Sequence, residues 1–253
     1  MPWAVTTESG SLVHVFEQYA KQIDDFNLRM EAVRIVSREI TKDSKNAIFL
    51  LHRSGPNNFH KIMDQAKAAL DKVRLKFGRL AAAVESDHEF YRFQHSISQG
   101  VQEYIEAESF HYFLSTNGGL ISKEQLVDKL VSACAGLERF PILTTDYLQG
   151  IADLSGEVMR KSINWATSGD IDSVKVASRF MQDLLVYLQG LPLHHIRGWQ
   201  MKIETLQAST SKVENALFKL QLKRIEFPDQ PLKMTTEQFT DEDRPAAADP
   251  VPS

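Results

Sequence analysis

A helical pattern of apolar residues runs unbroken from about residue 12 to residue 52, because no glycine or proline occurs in that span. The apolar residues recur at the spacing of three and four that marks one face of a helix. A helix of about 40 residues, at about 1.5 Å per residue, is near 60 Å long. Helices of this length are typical of bundles, coiled coils and extended scaffolds, so the pattern favours an all-α protein. The apolar residues are Leu12, Val15, Phe16, Tyr19, Ile23, Phe26, Met30, Val33, Ile35, Val36 and Ile40.

Chain breaks and capping residues divide the remaining sequence into six more predicted helices. Residues 86–87 are the expected N-cap of the third helix, and residues 172–173 that of the sixth. Ser122 with Gln125 three residues later fits a capping box at the start of the fourth. Because no convincing strand is found, the sequence predicts an all-α, single-domain, seven-helix bundle. The predicted helices span about residues 12–52, 59–85, 88–115, 122–135, 144–168, 172–189 and 195–226.

The two ends of the chain are predicted to lie outside this helical domain. We expect residues 1–11 to be flexible and residues 12–227 to form the domain. Residues 228–253 hold five of the nine prolines, several acidic residues and few large apolar ones. Such a composition cannot bury enough apolar surface to offset the entropy of ordering, so a disordered, acidic, Pro-rich tail is predicted.

Composition and charge narrow the protein class. The single cysteine, Cys134, excludes an internal disulfide and is expected to be a small buried side chain. No secretory signal and no stretch of about 20 apolar residues is present, so we expect an intracellular, cytoplasmic protein without a membrane partner. The net charge is −4, whereas nucleic-acid binding usually shows as a basic domain or stripe. Binding of nucleic acid would therefore need a local basic patch or a basic partner.

Two acidic motifs stand on separate predicted helices. Glu103 and Glu106 lie on the third, and Asp153 and Glu157 lie on the fifth. Residues three or four apart share one side of a helix, so each motif directs two carboxylates one way. If the helices face each other, the four carboxylates repel unless a cation is present, and Mg²⁺ prefers such oxygen ligands. The alternative is that these acids belong to ordinary solvated helix faces.

The surroundings of the motifs add three expectations. The third helix is apolar on two sides, so Glu103 and Glu106 are expected to be partly buried. Glu108 falls within an apolar stripe and is expected to pair with a basic residue of a neighbouring helix or another subunit. Gly156 is unusual inside a helix, where it costs about 1 kcal/mol against alanine, and a close approach by another helix or by substrate would explain it.

Several stretches resemble the translin-associated factor X group of the translin family. The resemblance covers about residues 12–225, nearly the whole predicted domain. It implies a seven-helix all-α fold and a catalytic subunit that forms a hetero-oligomer with translin. The implied activity is that of a Mg²⁺-dependent endoribonuclease that degrades the passenger strand of small-RNA duplexes and processes tRNA fragments. The similar stretches are residues 38–41, 44–53, 100–107, 109–110, 146–160, 169–172 and 212–216.

The resemblance carries the catalytic carboxylates of the group onto Glu103, Glu106, Asp153 and Glu157, all acidic here. Glu106, Asp153 and Glu157 are expected to hold Mg²⁺, with Mn²⁺ as a substitute. Glu103 is expected to complete the cluster or to orient the attacking water. The sister protein translin lacks the full set, so retention of all four favours the catalytic member. The basic N-terminus of some relatives is missing, which leaves cytoplasmic and nuclear locations both open.

Three basic residues are candidate RNA contacts. Lys45 and Arg53 could bind phosphates, or could be exposed solubilising charges. Arg160 could hold a phosphate beside the metal, or could pair with Glu157 along the fifth helix. Single-stranded RNA is the expected substrate.

Two other functions compete with the ribonuclease. The first is a non-catalytic scaffold of the translin type that binds RNA or DNA. It has no need of four convergent acids, which would repel phosphate without a metal. The second is a di-metal helical oxidoreductase, which usually presents Glu-x-x-His motifs. Neither acidic motif has a histidine three residues on, which disfavours it.

Overall fold

The computed structural model describes residues 9–84, 86–134, 137, 140–193 and 195–233. Seven helices and no strand are found in these residues, which confirms the predicted fold class. The first helix begins three residues before its predicted start, and the seventh begins four residues after. The helices are α1 (Ser9–His52), α2 (Phe59–Ala82), α3 (Asp87–Ser115), α4 (Lys123–Ala133), α5 (Thr144–Ser168), α6 (Ile171–Gln189) and α7 (Trp199–Glu226).

The caps follow the sequence with one exception. The Ser86 side chain accepts a hydrogen bond from the backbone of the first turn of α3, as predicted. Ser122 and Gln125 form both hydrogen bonds of the predicted capping box of α4. The prediction that residues 172–173 cap α6 is wrong. Asp170 is the N-cap, and its carboxylate accepts from the backbone N–H of Ser173 at 3.1 Å and from the Ser173 hydroxyl at 2.6 Å.

Helices α1, α3 and α5 run parallel at the centre of the fold. Along α1 and α3 the contacts advance together, from the stacked rings of Phe26 and Phe93 to those of His52 and Phe110. Helix α2 returns against α1, and α4 packs on α2. Helices α6 and α7 cover α5 from the other side. The acidic motif helices, α3 and α5, are therefore neighbours, as the interpretation of a shared site requires.

Two glycines let the central helices approach each other closely. A Cβ added to Gly100 would lie 2.8 Å from Ser37 Oγ and 2.9 Å from the Ser37 carbonyl oxygen on α1. A Cβ added to Gly150 would lie 2.8 Å from the carbonyl oxygen of Gln102 on α3. A larger residue at either position would collide with backbone, which cannot move aside as a flexible side chain can. In contrast, an added Cβ at Gly156 meets no described atom within 4 Å, so the predicted approach of another helix there is wrong.

A buried ion-pair network joins α2, α3 and α4. The Glu108 carboxylate is fully buried and accepts a hydrogen bond of 2.8 Å from Arg74 Nε on α2. Lys129 Nζ on α4 donates to its other oxygen at 2.8 Å. The prediction of a basic partner on a neighbouring helix is thus confirmed. Since a buried charge is costly without a partner, this network fixes the position of α3 relative to α2 and α4.

Two predicted terminal segments fall largely outside the described residues. Residues 1–8 and 234–253 are not described, so the flexible start and most of the disordered tail are untested. Residues 228–233 follow α7 as an irregular segment. They bring Leu232 to Gly169, where an added Cβ would lie 3.1 Å from the Leu232 carbonyl carbon. None of the helices in the described chain is long and apolar enough to cross a membrane.

The two glycines of α5 give opposite predictions for substitution by alanine. Gly150→Ala should destabilise the protein by about 1–3 kcal/mol, because the new methyl group forces α5 away from α3. Gly156→Ala is the matched control on the same helix, and should leave stability unchanged or raise it by up to about 1 kcal/mol. Urea unfolding followed by circular dichroism measures both. Equal effects of the two substitutions would contradict the close crossing at Gly150.

Candidate functional site

The four acidic residues lie where α3 and α5 cross. The crossing at Gly150 and Gln102 is one residue before Glu103 and three residues before Asp153. Glu103 and Glu106 are half-buried, as predicted from the two apolar sides of α3. The side chain of Glu157 is 13% exposed, whereas that of Asp153 is 38% exposed. The cluster is therefore largely shielded from bulk water, and solvent reaches it mainly at Asp153.

The carboxylates are close enough to influence each other's ionisation. Burial raises the pKa of Glu106 well above its ordinary value, and the negative charges of Glu157, Asp153 and Glu103 raise it further. Burial also raises the pKa of Glu103, against the opposing effect of Lys45. Burial likewise raises the pKa of Asp153, against the opposing effect of Lys202. The sequence prediction that the two motifs face one another agrees with this mutual repulsion, which is centred on Glu106.

Cationic and imidazole groups from α1 and α7 surround the cluster. Lys45 Nζ lies 3.3 Å from Glu103 Oε1. Lys202 on α7 binds the Asp153 carboxylate, and its Nζ also lies 3.3 Å from the carbonyl oxygen of Gln149. Glu157 also has partners, a histidine and an arginine, so three of the four carboxylates are paired within the protein.

Glu157 has two partners, which come from different helices. His52, at the end of α1, contacts Glu157 Oε2 through Nε2. Arg160 Nη1 lies 3.0 Å from the same oxygen, which is the intrahelical pair weighed as the alternative role of Arg160. Glu106 differs from the other three acids, since no hydrogen bond or ion pair to its carboxylate is seen within the described part of the chain.

The donor set fits a hard divalent cation in kind. All four groups are carboxylates, and oxygen is the ligand that Mg²⁺ and Mn²⁺ prefer. However, no three His, Cys, Asp or Glu side chains in the described residues are arranged so that they could hold a metal ion as they stand. A metal at this site would have to compete with Lys202 and His52 for Asp153 and Glu157.

The three candidate RNA contacts occupy different environments. Lys45 is 55% exposed and reaches the cluster, whereas Arg160 is 30% exposed and is paired with Glu157. Arg53 is exposed at the end of α1, and its carbonyl oxygen accepts from Asn58 Nδ2 at 3.1 Å. The structure brings Lys45 and Arg160 to the acids, and it places Arg53 one residue beyond His52.

The roles of three residues near the cluster were not predicted from the sequence. His52, next to Arg53, was left open between a phosphate contact and an exposed solubilising residue, and its contact with Glu157 was not expected. It lies four residues after the buried Ile48 and so on the inner side of α1. Lys202 lies beside the apolar stripe of α7, next to the buried Ile203, which is a weak signal. Lys161 is 3% exposed on α5 and gave no sequence signal beyond its apolar surroundings.

Lys161 fixes the end of α1 beside the cluster. Its Nζ donates to the carbonyl oxygen of Ser54 at 2.6 Å, to Ser54 Oγ at 2.9 Å and to the carbonyl oxygen of His52 at 3.3 Å. Burial lowers the pKa of Lys161 to about 8. Because these bonds hold the last residues of α1 against α5, they place the His52 ring next to Glu157.

The raised pKa of Glu106 predicts a pH-dependent effect of Glu106→Gln in metal-free buffer. The folded protein retains a proton on Glu106 that the unfolded chain releases, so its free energy of unfolding falls as pH rises between the two pKa values. Glutamine does not titrate. The variant should therefore match the wild type near pH 4 and exceed it in stability at neutral pH. Urea unfolding in EDTA at several pH values tests this, and a pH-independent difference would contradict it.

The sequence is similar to those of known proteins. The Translin family matches residues 28–224 of the chain. Translin-associated protein X of Rattus norvegicus is 32% identical over 242 residues, which is 88% of this chain and 82% of the relative. Translin of Gallus gallus is 22% identical over 197 residues, which is 76% of this chain and 85% of the relative.

A solved structure has the same fold. The structure of AfC3PO in a complex with duplex RNA superposes with a TM-score of 0.64 at 16% identity, over 85% of this chain and 99% of that one. The family match covers most of the described domain, and the identity to translin-associated protein X exceeds that to translin. The chain therefore belongs to the translin family, and its sequence is more similar to translin-associated protein X than to translin.

Proposed function

We propose that this protein is a Mg²⁺-dependent endoribonuclease, the catalytic subunit of a hetero-oligomer with translin that acts on single-stranded or small RNAs. The observation that carries the proposal is that α3 and α5 cross closely at Gly150, next to the four acids, whose charges raise the pKa of Glu106. Such a concentration of negative charge is unfavourable for a protein whose only task is to bind phosphates, and favourable for one that binds a divalent cation.

The four acids take the roles that the family resemblance implies. Glu106, Asp153 and Glu157 would hold Mg²⁺ or Mn²⁺, and Glu103 would complete the set or orient the attacking water. When bound, such an ion lowers the pKa of water and stabilises the charge of a leaving oxygen. Glu106 suits the central position, because its carboxylate has the most to gain from a cation.

The basic residues around the cluster would exchange partners when the metal binds. Lys202 pairs with Asp153, and His52 contacts Glu157. If a metal took these carboxylates, Lys202 would become available to the phosphates of a bound RNA. Lys45 lies beside Glu103, and Arg160 lies beside Glu157. Arg53 extends the basic surface at the end of α1. All three are proposed to contact RNA phosphates.

A translin partner accounts for two further features. The N-terminal part of α1 exposes apolar side chains such as Leu12, at 62%, and Phe16, at 67%, to solvent within the described chain. The net charge of −4 leaves this subunit poorly suited to hold RNA alone. A partner that covers the apolar face and supplies basic surface would meet both needs. The same assembly is proposed to act in passenger-strand removal and tRNA-fragment processing, in the cytoplasm and also in the nucleus.

A non-catalytic scaffold of the translin type is the second candidate function. It is favoured by the absence, in the described residues, of any three ligand side chains already arranged around a metal position. In that case the pairs of Lys45, Lys202 and His52 with the acids would be permanent structural contacts. Metal binding and RNA cleavage distinguish the two functions.

Metal binding should depend on the acid cluster. The wild-type protein should bind Mg²⁺ or Mn²⁺ in a calorimetric titration, and the Glu106→Gln/Asp153→Asn variant should show at least about tenfold weaker binding, since two of the four charged ligands are lost. Glu204→Gln removes an exposed acid from α7 outside the cluster and serves as control. Equal binding by the wild type and the double variant would exclude the metal assignment.

Cleavage should require the same carboxylates. The complex with translin should cut single-stranded RNA internally, and EDTA should abolish the activity. Glu103→Ala, Asp153→Ala and Glu157→Ala should each lower kcat at least about 100-fold, a barrier increase of about 2.7 kcal/mol. RNA binding should change little, because it depends mainly on basic groups.

The control for these variants is Glu204→Ala, which should cleave at the wild-type rate. Gel electrophoresis of end-labelled RNA measures cleavage, and circular dichroism verifies folding of each variant. Cluster variants that fold and still cleave at the wild-type rate would reject the catalytic assignment and leave the scaffold function.

A further inference from the structure

A cavity of about 790 Å³ lies at the end of the bundle beyond the acid cluster. Its volume is that of a site for a small organic molecule. Four segments enclose it: the turn after α1, the end of α3, the end of α5 and the start of α6. Residues 52–59, 113–118, 161–169 and 170–176 contribute its walls. None of the roles assigned above to the four acids uses this space.

One side chain connects the cavity to the acid cluster. His52 lines the cavity, and its Nε2 contacts the carboxylate of Glu157. Its other ring nitrogen, Nδ1, is buried without a hydrogen-bond partner among the described residues. His52 is therefore part of both sites, since its ring contacts Glu157 of the cluster and forms part of the cavity wall.

The walls combine aromatic and amide groups. Trp165 and Phe59 supply aromatic surface, and the buried Phe113 lies next to Trp165, with ring centroids 6.5 Å apart. Asn117 and Asn164 supply amides, each with donor and acceptor atoms. Aromatic faces that stack a flat ring, with amides at its edge, are the means by which proteins hold an unstacked nucleobase.

We propose that this cavity receives the base of an RNA nucleotide adjacent to the phosphate held at the acid cluster. The inference rests on the proposed ribonuclease function, because that function places the phosphate at the acid cluster. Glu157 and Trp165 are eight residues apart on α5, so about 12 Å separates them along the helix axis. A base turned out of the stack of single-stranded RNA can enter a side pocket while the neighbouring phosphate stays on the path of the strand. The cavity would therefore set the base preference of cleavage.

A photocrosslinking experiment tests the cavity without relying on catalysis. The complex of the full chain with translin is mixed with a single-stranded oligouridylate that contains 4-thiouridine, in a buffer with Ca²⁺, which also takes oxygen ligands, in place of Mg²⁺. It is then irradiated, digested and mapped by mass spectrometry. Crosslinks should concentrate in peptides that carry residues 54–59, 113–118 and 161–168. Trp165→Leu and Asn164→Leu should each reduce the crosslinks at least about fivefold, as expected for the loss of one stacking or edge contact.

The matched control is Tyr187→Leu, which removes an aromatic side chain that is 74% exposed on α6 outside the cavity. It should leave the crosslinks unchanged. Asn164 is exposed, so its substitution decides the question even if Trp165→Leu does not fold. Absent crosslinks, crosslinks to other surfaces, or equal loss in the control would overturn the nucleobase site, including the case in which a translin segment fills the cavity. Crosslinks in the cavity without metal-dependent cleavage would sustain the site and reject the proposed ribonuclease.

Discussion

The close crossing of α3 and α5 is the constraint on which the candidate site depends. Gly150 lets the backbone of α5 approach the Gln102 carbonyl more closely than any residue with a Cβ would allow. One turn earlier, Gln102 Nε2 donates to the buried Asp146 at 2.8 Å, which sets the register of the two helices. With the crossing and register fixed, Asp153 must face the acids of α3. The charge repulsion of the cluster is therefore imposed by backbone packing rather than avoided by side-chain movement.

Basic residues around the cluster reduce the repulsion between its carboxylates. Lys45, Lys202 and His52 come from helices that flank the crossing, and each contacts a different carboxylate. Glu106 is left in the middle, and its raised pKa expresses the repulsion that the others relieve only in part. A proton, a lysine side chain and a divalent cation can each offset this excess of negative charge, so they compete for the carboxylates. Under the proposed function, metal binding would release the lysines from the carboxylates, so that they could bind RNA phosphates.

The sequence predicted the helices well because capping residues and apolar periodicity are local signals. It also predicted that Glu108 needs a basic partner, since an acid in an apolar stripe must be neutralised. The identity of that partner, Arg74, depends on a contact between helices, which no local pattern contains. The same limit explains why Gly156 was expected to mark a close approach by a helix or by substrate, whereas the close helix approach occurs at Gly150. Both are glycines within α5, and only the packing distinguishes them.

The polar strip of α5 acquires a different meaning in three dimensions. As sequence, Asp153, Glu157, Arg160 and Asn164 repeat at intervals of four, three and four, which is also the pattern of an ordinary solvated face. In the structure the strip begins at the acid cluster and ends at the wall of the cavity. A strand of RNA that followed it would place a phosphate among the acids and a base beside Asn164. One helix thus sets the distance between the proposed chemistry and the proposed base site, and its register against α3 determines both.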